Sequence, residues 1–277
     1  MLDFSQRREL ELHARVIADV QAVTTALAIQ TIITGAFARD LHLLYAHAIN
    51  TVRQTEDIDF GLAVETWASF ERMKTRLVEG GRFSAVAKVQ QRIRHVSGVP
   101  VDLVPFQGVE TDSRQIVWPP GGEFRMDVFG FREALTSSQL VRLPNDAQAS
   151  VVSLPALALL KIVAWQDRYH RAPGKDAHDL MLIAANYLSV GNKERLWNEF
   201  LDWTQQENFD VSHAGARMLG VDIGKLVDGA GANRVAAILA EQADTQRPGL
   251  LPQQMHPHDP DRARALLRGM LEGLIEK

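Results

Sequence analysis

The segment Asp57-Ile58-Asp59-Phe60-Gly61-Leu62-Ala63-Val64 constrains this chain more than any other stretch. Successive side chains of a strand point to opposite faces, so Ile58, Phe60, Leu62 and Val64 line one side and Asp57, Asp59, Gly61 and Ala63 the other. Such a strand must lie on a hydrophobic core by its first face while two carboxylates stand side by side on its second. Their repulsion raises a pKa or bends the strand unless a cation lies between them, and a hard divalent cation with oxygen ligands does this best. An Asp-x-Asp at a strand start is equally an ordinary exposed loop edge, so the pair alone leaves both readings open.

Val101-Asp102-Leu103-Val104-Pro105-Phe106 places one acid inside an otherwise apolar strand, where an unpaired charge is expensive. A third metal ligand is the economical explanation. If this strand lies beside the Asp57 strand, all three carboxylates face the same metal site, and a two-metal centre clamps the attacking and leaving oxygens of phosphoryl transfer. Asp102 is then also the natural group to accept or orient the proton of an acceptor hydroxyl. The competing reading is a buried aspartate paired with an arginine such as Arg39 or Arg94.

Upstream, Thr31 to Thr34 is a short β-branched strand that Gly35 ends, and a helical pattern follows from Ala36 to about Asn50. The first free N–H groups of such a helix favour phosphate, and Arg39, one turn in, is placed to add a charge-assisted contact. Arg39 could equally pair with Asp40 or Glu56. Residues 5 to 29 read as an amphipathic helix, 67 to 79 as a helix, and 82 to 89, 91 to 97 and 99 to 106 as strands. The order β-α-β-α-β-β-β implies a mixed sheet with helices on it. A hairpin is expected through Phe129 and Leu140 to Leu143. From Ser153 the pattern turns helical: 154 to 170, 175 to 188, 193 to 206, pieces of 212 to 242, and 259 to 275. Residues 246 to 261, rich in proline, read as a linker or surface loop. An α+β chain of two domains is therefore expected, 1 to 150 carrying the site and 151 to 277 all helical.

Three stretches now carry a resemblance. Thr34-Gly35-Ala36-Phe37-Ala38-Arg39-Asp40-Leu41, Arg53-Gln54-Thr55-Glu56-Asp57-Ile58-Asp59 and Val101 to Phe106 resemble the motif series of the nucleotidyltransferase superfamily. More closely they resemble bacterial nucleotidyltransferases related to the AbiEii/AbiGii toxins. The resemblance covers about 30 to 188. It implies a polymerase beta-like mixed sheet, an NTP substrate, and Mg²⁺ (or Mn²⁺) held by Asp57, Asp59 and Asp102. It implies a nucleotide-cradling turn at Gly35 and Ala36, with Arg53 and Thr55 as a polar approach to the site. Many members carry a second Gly and a Ser at that turn; here Ala36 and Phe37 stand there, which shifts the phosphate contact onto backbone N–H groups and Arg39.

Lys161, Trp165 and Arg168 share one helix face by their spacing of four and three, and Asp176 and Asp179 share a side of the next helix. Without the family these are a helix hairpin held by ion pairs. They are similar to the Lys/Arg and Asp-x-x-Asp-Leu signature of the AbiEii-like toxins. That implies Lys161 and Arg168 as triphosphate contacts, with Asp176 or Asp179 orienting them or touching base or acceptor.

Composition narrows the class of partner. With 46% hydrophobic residues over 277, the chain can bury a sizeable core. Lys+Arg 30 against Asp+Glu 34, a net charge of -4, is not the basic excess of a dedicated nucleic-acid binder, although a local patch would suffice for an RNA acceptor. With Cys 0 there is no disulfide framework and no thiolate zinc site. The start lacks a secretory layout, and the most apolar run, Leu154 to Trp165, is interrupted by Lys161 and too short for a bilayer. His256-Pro257-His258 reads as plain surface. The expectation is a cytoplasmic enzyme moving NMP from an NTP to an RNA, protein or small hydroxyl acceptor, without a membrane and with an antitoxin as a candidate partner. A nucleotide-binding regulator of the same fold without turnover is the alternative.

Overall fold

In the computed structural model the described residues are 1–51, 55–87, 89–122, 124–247 and 249–276. The chain divides into two units, Met1–Leu41 with Val52–Ser153, and His42–Thr51 with Leu154–Lys277.

The first unit is built on β1 (Leu2–Asp3), α1 (Glu11–Ala26), β2 (Gln30–Thr34), α2 (Gly35–Asp40), β3 (Ile58–Val64) and α3 (Trp67–Glu79). It continues through β4 (Phe83–Ala85), β5 (Arg92–His95), β6 (Pro100–Gln107), β7 (Gln115–Val117) and β8 (Arg125–Asp127), then α4 (Phe131–Thr136), β9 (Gln139–Arg142) and β10 (Gln148–Val151). Eight strands form one mixed sheet in the order β1-β9-β10-β2-β3-β6-β5-β4, and β7 pairs with β8 in a separate hairpin. The architecture is α+β. At its centre β2 runs antiparallel to β3, β3 parallel to β6, and β6 antiparallel to β5.

Period two decides how β3 lies. Ile58, Phe60 and Leu62 are fully buried and Val64 nearly so, which is the apolar face expected of this strand. On the opposite face Gly61 lies under α4: a Cβ there would meet the Phe131 ring and Ile32 Cγ2, each at 2.9 Å. Residues 67 to 79 form a helix over the expected span. Thr66 caps it by accepting from the Ser69 N–H at 3.1 Å, and Phe70, Met73 and Leu77 bury its inner face.

Several boundaries differ from the sequence reading. The helix expected over 5 to 29 begins as a 3₁₀ turn at Arg8–Leu10 and ends at Ala26, because Gln30 is already needed by the sheet. That expected from Ala36 to Asn50 is α-helical only to Asp40, then widens to a π-turn over Leu41–Tyr45. The hairpin expected from Phe129 to Leu143 is instead α4 followed by β9, and β9 pairs with the unforeseen β10.

The second unit is helical: α5 (Leu154–Arg168), α6 (Lys175–Asn186), α7 (Lys193–Glu199), α8 (Val211–Gly224), α9 (Gly229–Ala243), α10 (Leu250–Met255) and α11 (Pro260–Ile275). Residues 193 to 206 hold α7 and a 3₁₀ turn rather than one helix. The stretch read as a linker over 246 to 261 contains α10, whose Leu251, Pro252 and Met255 are buried. Among the described residues no helix is long and apolar enough to cross a membrane.

Candidate active site

Parallel pairing of β3 with β6 places Asp59 directly beside Asp102. Asp57, just ahead of β3, completes the set, and one carboxylate oxygen from each of the three lies within 4.8 Å of the others. This is the only such group of His, Cys, Asp or Glu among the described residues. The side chains of Asp57 and Asp102 are 20% and 16% exposed, so the group sits at the protein surface within reach of a ligand.

Asp102 is not alone in its apolar strand. Arg92 stands opposite it across β5 and β6. Arg92 Nε donates to Asp102 Oδ1 at 2.6 Å, and its Nη2 donates to Asp102 Oδ2 at 2.6 Å and to Asp57 Oδ2 at 3.1 Å. Hydrogen bonding to Asp102 holds the guanidinium charge even more firmly than usual. The arginine partner considered from sequence was Arg39 or Arg94, and neither fills the role: Arg94 Nη1 donates to the Gly98 carbonyl at 2.8 Å, and Arg39 lies on Asp40. The cost of an unpaired buried charge therefore no longer argues for metal at Asp102. What favours a metal is the gathering itself, three carboxylates with one oxygen each inside 4.8 Å. An all-oxygen, strongly anionic donor set fits a hard divalent cation such as Mg²⁺.

The turn before α2 abuts this group. Gly35 has φ +69, and a Cβ on it would lie 1.8 Å from Asp59 Oδ2. Only glycine fits there, which ties the start of α2 to the carboxylates. Gly35 and Ala36 are half-buried, while Phe37 turns into the core and stacks on His13. The Phe that departs from the family pattern is thus a packing residue.

Arg39 is buried. Its Nε and Nη2 donate to Asp40 Oδ1 at 2.9 and 2.6 Å, and Thr55 Oγ1 donates to Asp40 Oδ2 at 2.7 Å. The anion that Arg39 meets is thus Asp40 of its own chain, because a guanidinium inside the core needs a permanent counter-charge. Arg53 lies outside the described residues.

In the helical unit Lys161, Arg168, Asp176 and Asp179 do come together. Lys161 Nζ lies 3.2 Å from Asp176 Oδ1 and 2.5 Å from Asp179 Oδ2. Arg168 Nε and Nη2 donate to the two oxygens of Asp176 at 2.8 and 2.9 Å. Burial alone would raise the Asp176 pKa, but Arg168 and Lys161 outweigh it and hold the carboxyl below its ordinary value. Lys161, Asp176 and Asp179 are all buried, and only the Arg168 side chain, 35% exposed, reaches solvent.

Arg92 is the site residue that the sequence reading missed. A turn at Ser97-Gly98, where Gly98 has φ +92, fixes the β5–β6 register and so sets Arg92 rather than Arg94 against Asp102. Counting outward from that turn is the signal that would have found it.

A mixed sheet that gathers three aspartates from adjacent strands, against a glycine turn opening a helix, defines a nucleotidyltransferase. Residues 19–275 match the family described as nucleotidyl transferase AbiEii toxin, type IV toxin–antitoxin system, and the chain belongs to that family. The match runs on through the helices beyond 188, where the sequence alone showed no motif. No curated protein matches the sequence. Among solved structures, the antibiotic-resistance factor ANT(2'')-Ia in solution is similar at 13% identity and TM-score 0.40, over 69% of this chain and 94% of that one. Its crystal structure in complex with adenylyl-2''-tobramycin is similar at 14% identity and TM-score 0.40, over 69% and 98%. The apo CCA-adding enzyme gives 11% identity and TM-score 0.25, over 94% of this chain and 79% of that one.

Proposed function

We propose that this nucleotidyltransferase works through a divalent metal held by Asp57, Asp59 and Asp102, and moves a nucleoside monophosphate from an NTP to an acceptor hydroxyl. The observation that carries the reading is the convergence of the three carboxylates within 4.8 Å, with Gly35 pressed against Asp59. Bound Mg²⁺ would supply the positive charge that a triphosphate and a transferring phosphoryl group require. The chain's own part is to fix geometry. Asp59 and Asp102 sit on paired strands and so hold a set spacing, Gly35 lets the backbone of the turn approach them, and the N–H groups of Gly35 and Ala36 are the donors for phosphate oxygens. In the transfer the acceptor oxygen bonds the α-phosphorus as the α–β bridging bond breaks. Pyrophosphate leaves with that electron pair, and the acceptor hydroxyl passes its proton to Asp102, which orients it.

The acceptor classes that fit are RNA, protein or a small hydroxyl compound, and an antitoxin is the partner that family membership suggests. The test is incubation with each labelled NTP, Mg²⁺ or Mn²⁺, total RNA and lysate, followed by identifying which molecule takes up label. Asp59→Ala and Asp102→Ala should each reduce incorporation to background with an unchanged circular dichroism spectrum. Turnover that survives either change would sink the metal reading.

A further inference from the structure

We propose that Arg92 is a resident counter-ion of the acidic triad: it ties Asp102 to Asp57 before metal arrives, and it sets how tightly a divalent cation is taken. This rests on the metal reading above and extends it to a residue outside the ligand set.

Three carboxylates this close repel one another, and two of them cannot part. Asp59 and Asp102 are locked in register on β3 and β6. Asp59 is also pressed by the turn at Gly35. Some positive charge has to stand among them in the metal-free chain, and Arg92 is placed to provide it. Its backbone is pinned opposite Asp102, where the Leu103 N–H donates to the neighbouring Gln91 carbonyl at 2.7 Å. The Lys74 ammonium donates to the Gln90 carbonyl at 2.6 Å and steadies the same segment.

The contacts of the guanidinium are unequal, and that inequality is informative. Both oxygens of Asp102 are gripped at 2.6 Å in a fork, whereas Asp57 is met by a single Nη2 donor at 3.1 Å. A bidentate arginine–carboxylate pair is the stronger arrangement. The single contact to Asp57 is therefore the weaker one, and the one that a bound cation would displace first.

The experiment is direct Mn²⁺ binding to the full chain without nucleotide, followed by the electron paramagnetic resonance signal of free Mn²⁺. Wild type, Arg92→Gln, Arg92→Lys and Asp59→Ala are compared, with melting curves in EDTA and in Mn²⁺. Removing a positive charge at this distance should tighten Mn²⁺ on the order of tenfold in Arg92→Gln, allowing for screening at a part-exposed site. Arg92→Lys, with charge but no fork, should fall between it and wild type. Arg92→Gln should also melt lower than wild type in EDTA and recover in Mn²⁺. A side chain that merely supported the fold would give the opposite sign, since its loss would loosen the ligands and weaken Mn²⁺. Unchanged or weaker binding in Arg92→Gln overturns the Arg92 role while leaving the metal site standing. Absence of any Mn²⁺ binding by wild type that Asp59→Ala removes would overturn both. Should Arg92→Gln fail to fold, Arg92→Lys decides alone: tighter binding than wild type supports the proposal and equal or weaker binding overturns it.

Discussion

Gly35 and Asp59 are so close that no side chain fits between them: a Cβ on Gly35 would lie 1.8 Å from Asp59 Oδ2, and Gly35 holds φ +69. Gly35→Ala must therefore push Asp59 out of line with Asp102 and also adopt a backbone conformation that L-residues disfavour. The backbone strain costs about 1–3 kcal/mol. A displacement of the order of 1 Å at a reacting centre costs roughly 10²-fold in rate. Incorporation of labelled NMP should fall by at least that factor in a protein that still folds, with a lower melting temperature. Wild-type turnover in Gly35→Ala would show that Asp59 is not held as described.

Arg39 and Asp40 form a buried pair, joined by Thr55, beside the same turn. Removing one partner leaves the other charged in the core, so Arg39→Met should cost about 3–5 kcal/mol in urea unfolding. The double variant Arg39→Met with Asp40→Leu should recover much of that loss, since neither charge is left stranded. If Arg39 instead served only the nucleotide, Arg39→Met would raise KM with an unchanged unfolding midpoint, and that result would overturn the structural role.

How much of this was legible beforehand depended on how local the signal was. The face of β3 that carries Asp57 and Asp59 follows from period two alone, and α3 follows from the spacing of Phe70, Met73 and Leu77 behind the Thr66 cap. Asp102 could be singled out because it interrupts an apolar run. Its partner could not, because Arg92 and Arg94 lie on the same strand face and only the turn at Ser97-Gly98 decides between them. α10 was hidden because the prolines of 246 to 261 read as loop, although Pro252, in the first helical turn, is tolerated and Leu251 and Met255 needed a core. Arg39 is legible only in part: one turn into a helix, a guanidinium can point at a ligand or into the core, and its spacing in the sequence does not separate the two.

The Lys161 cluster carries an acid-sensitivity prediction. Asp176 is held below its ordinary value of 3.8, since Arg168 and Lys161 outweigh the burial that opposes them. The unfolded chain thus binds the proton more readily, and the stabilisation is present above 3.8 and lost as pH falls through the lower folded value. Asp176→Asn should lower the urea midpoint at neutral pH and flatten its fall below the ordinary carboxylate range. Lys161→Met, which removes a cation from between two buried carboxylates, should cost about 3–5 kcal/mol at neutral pH. Wild-type and Asp176→Asn curves that run parallel down to strong acid would refute the ionic account.

His13 gives the reverse kind of test, because its proton is unwelcome in the fold. Its ring stacks on Phe37 with centroids 4.7 Å apart and planes 10° apart, and its Nδ1 is buried with no hydrogen-bond partner among the described residues. Burial holds its pKa below 6.5, against a smaller opposing pull from Asp40. Between 6.5 and that lower folded value the unfolded chain carries more proton than the folded one, so stability rises with pH across this window and falls as pH drops through it. His13→Phe keeps the stacking and removes the proton site. Its unfolding midpoint should match wild type above 6.5, exceed it increasingly as pH falls through this window, and keep a constant excess below it. A constant offset between the two curves at every pH would mean that the ring contributes packing alone, and that no proton is excluded at this position.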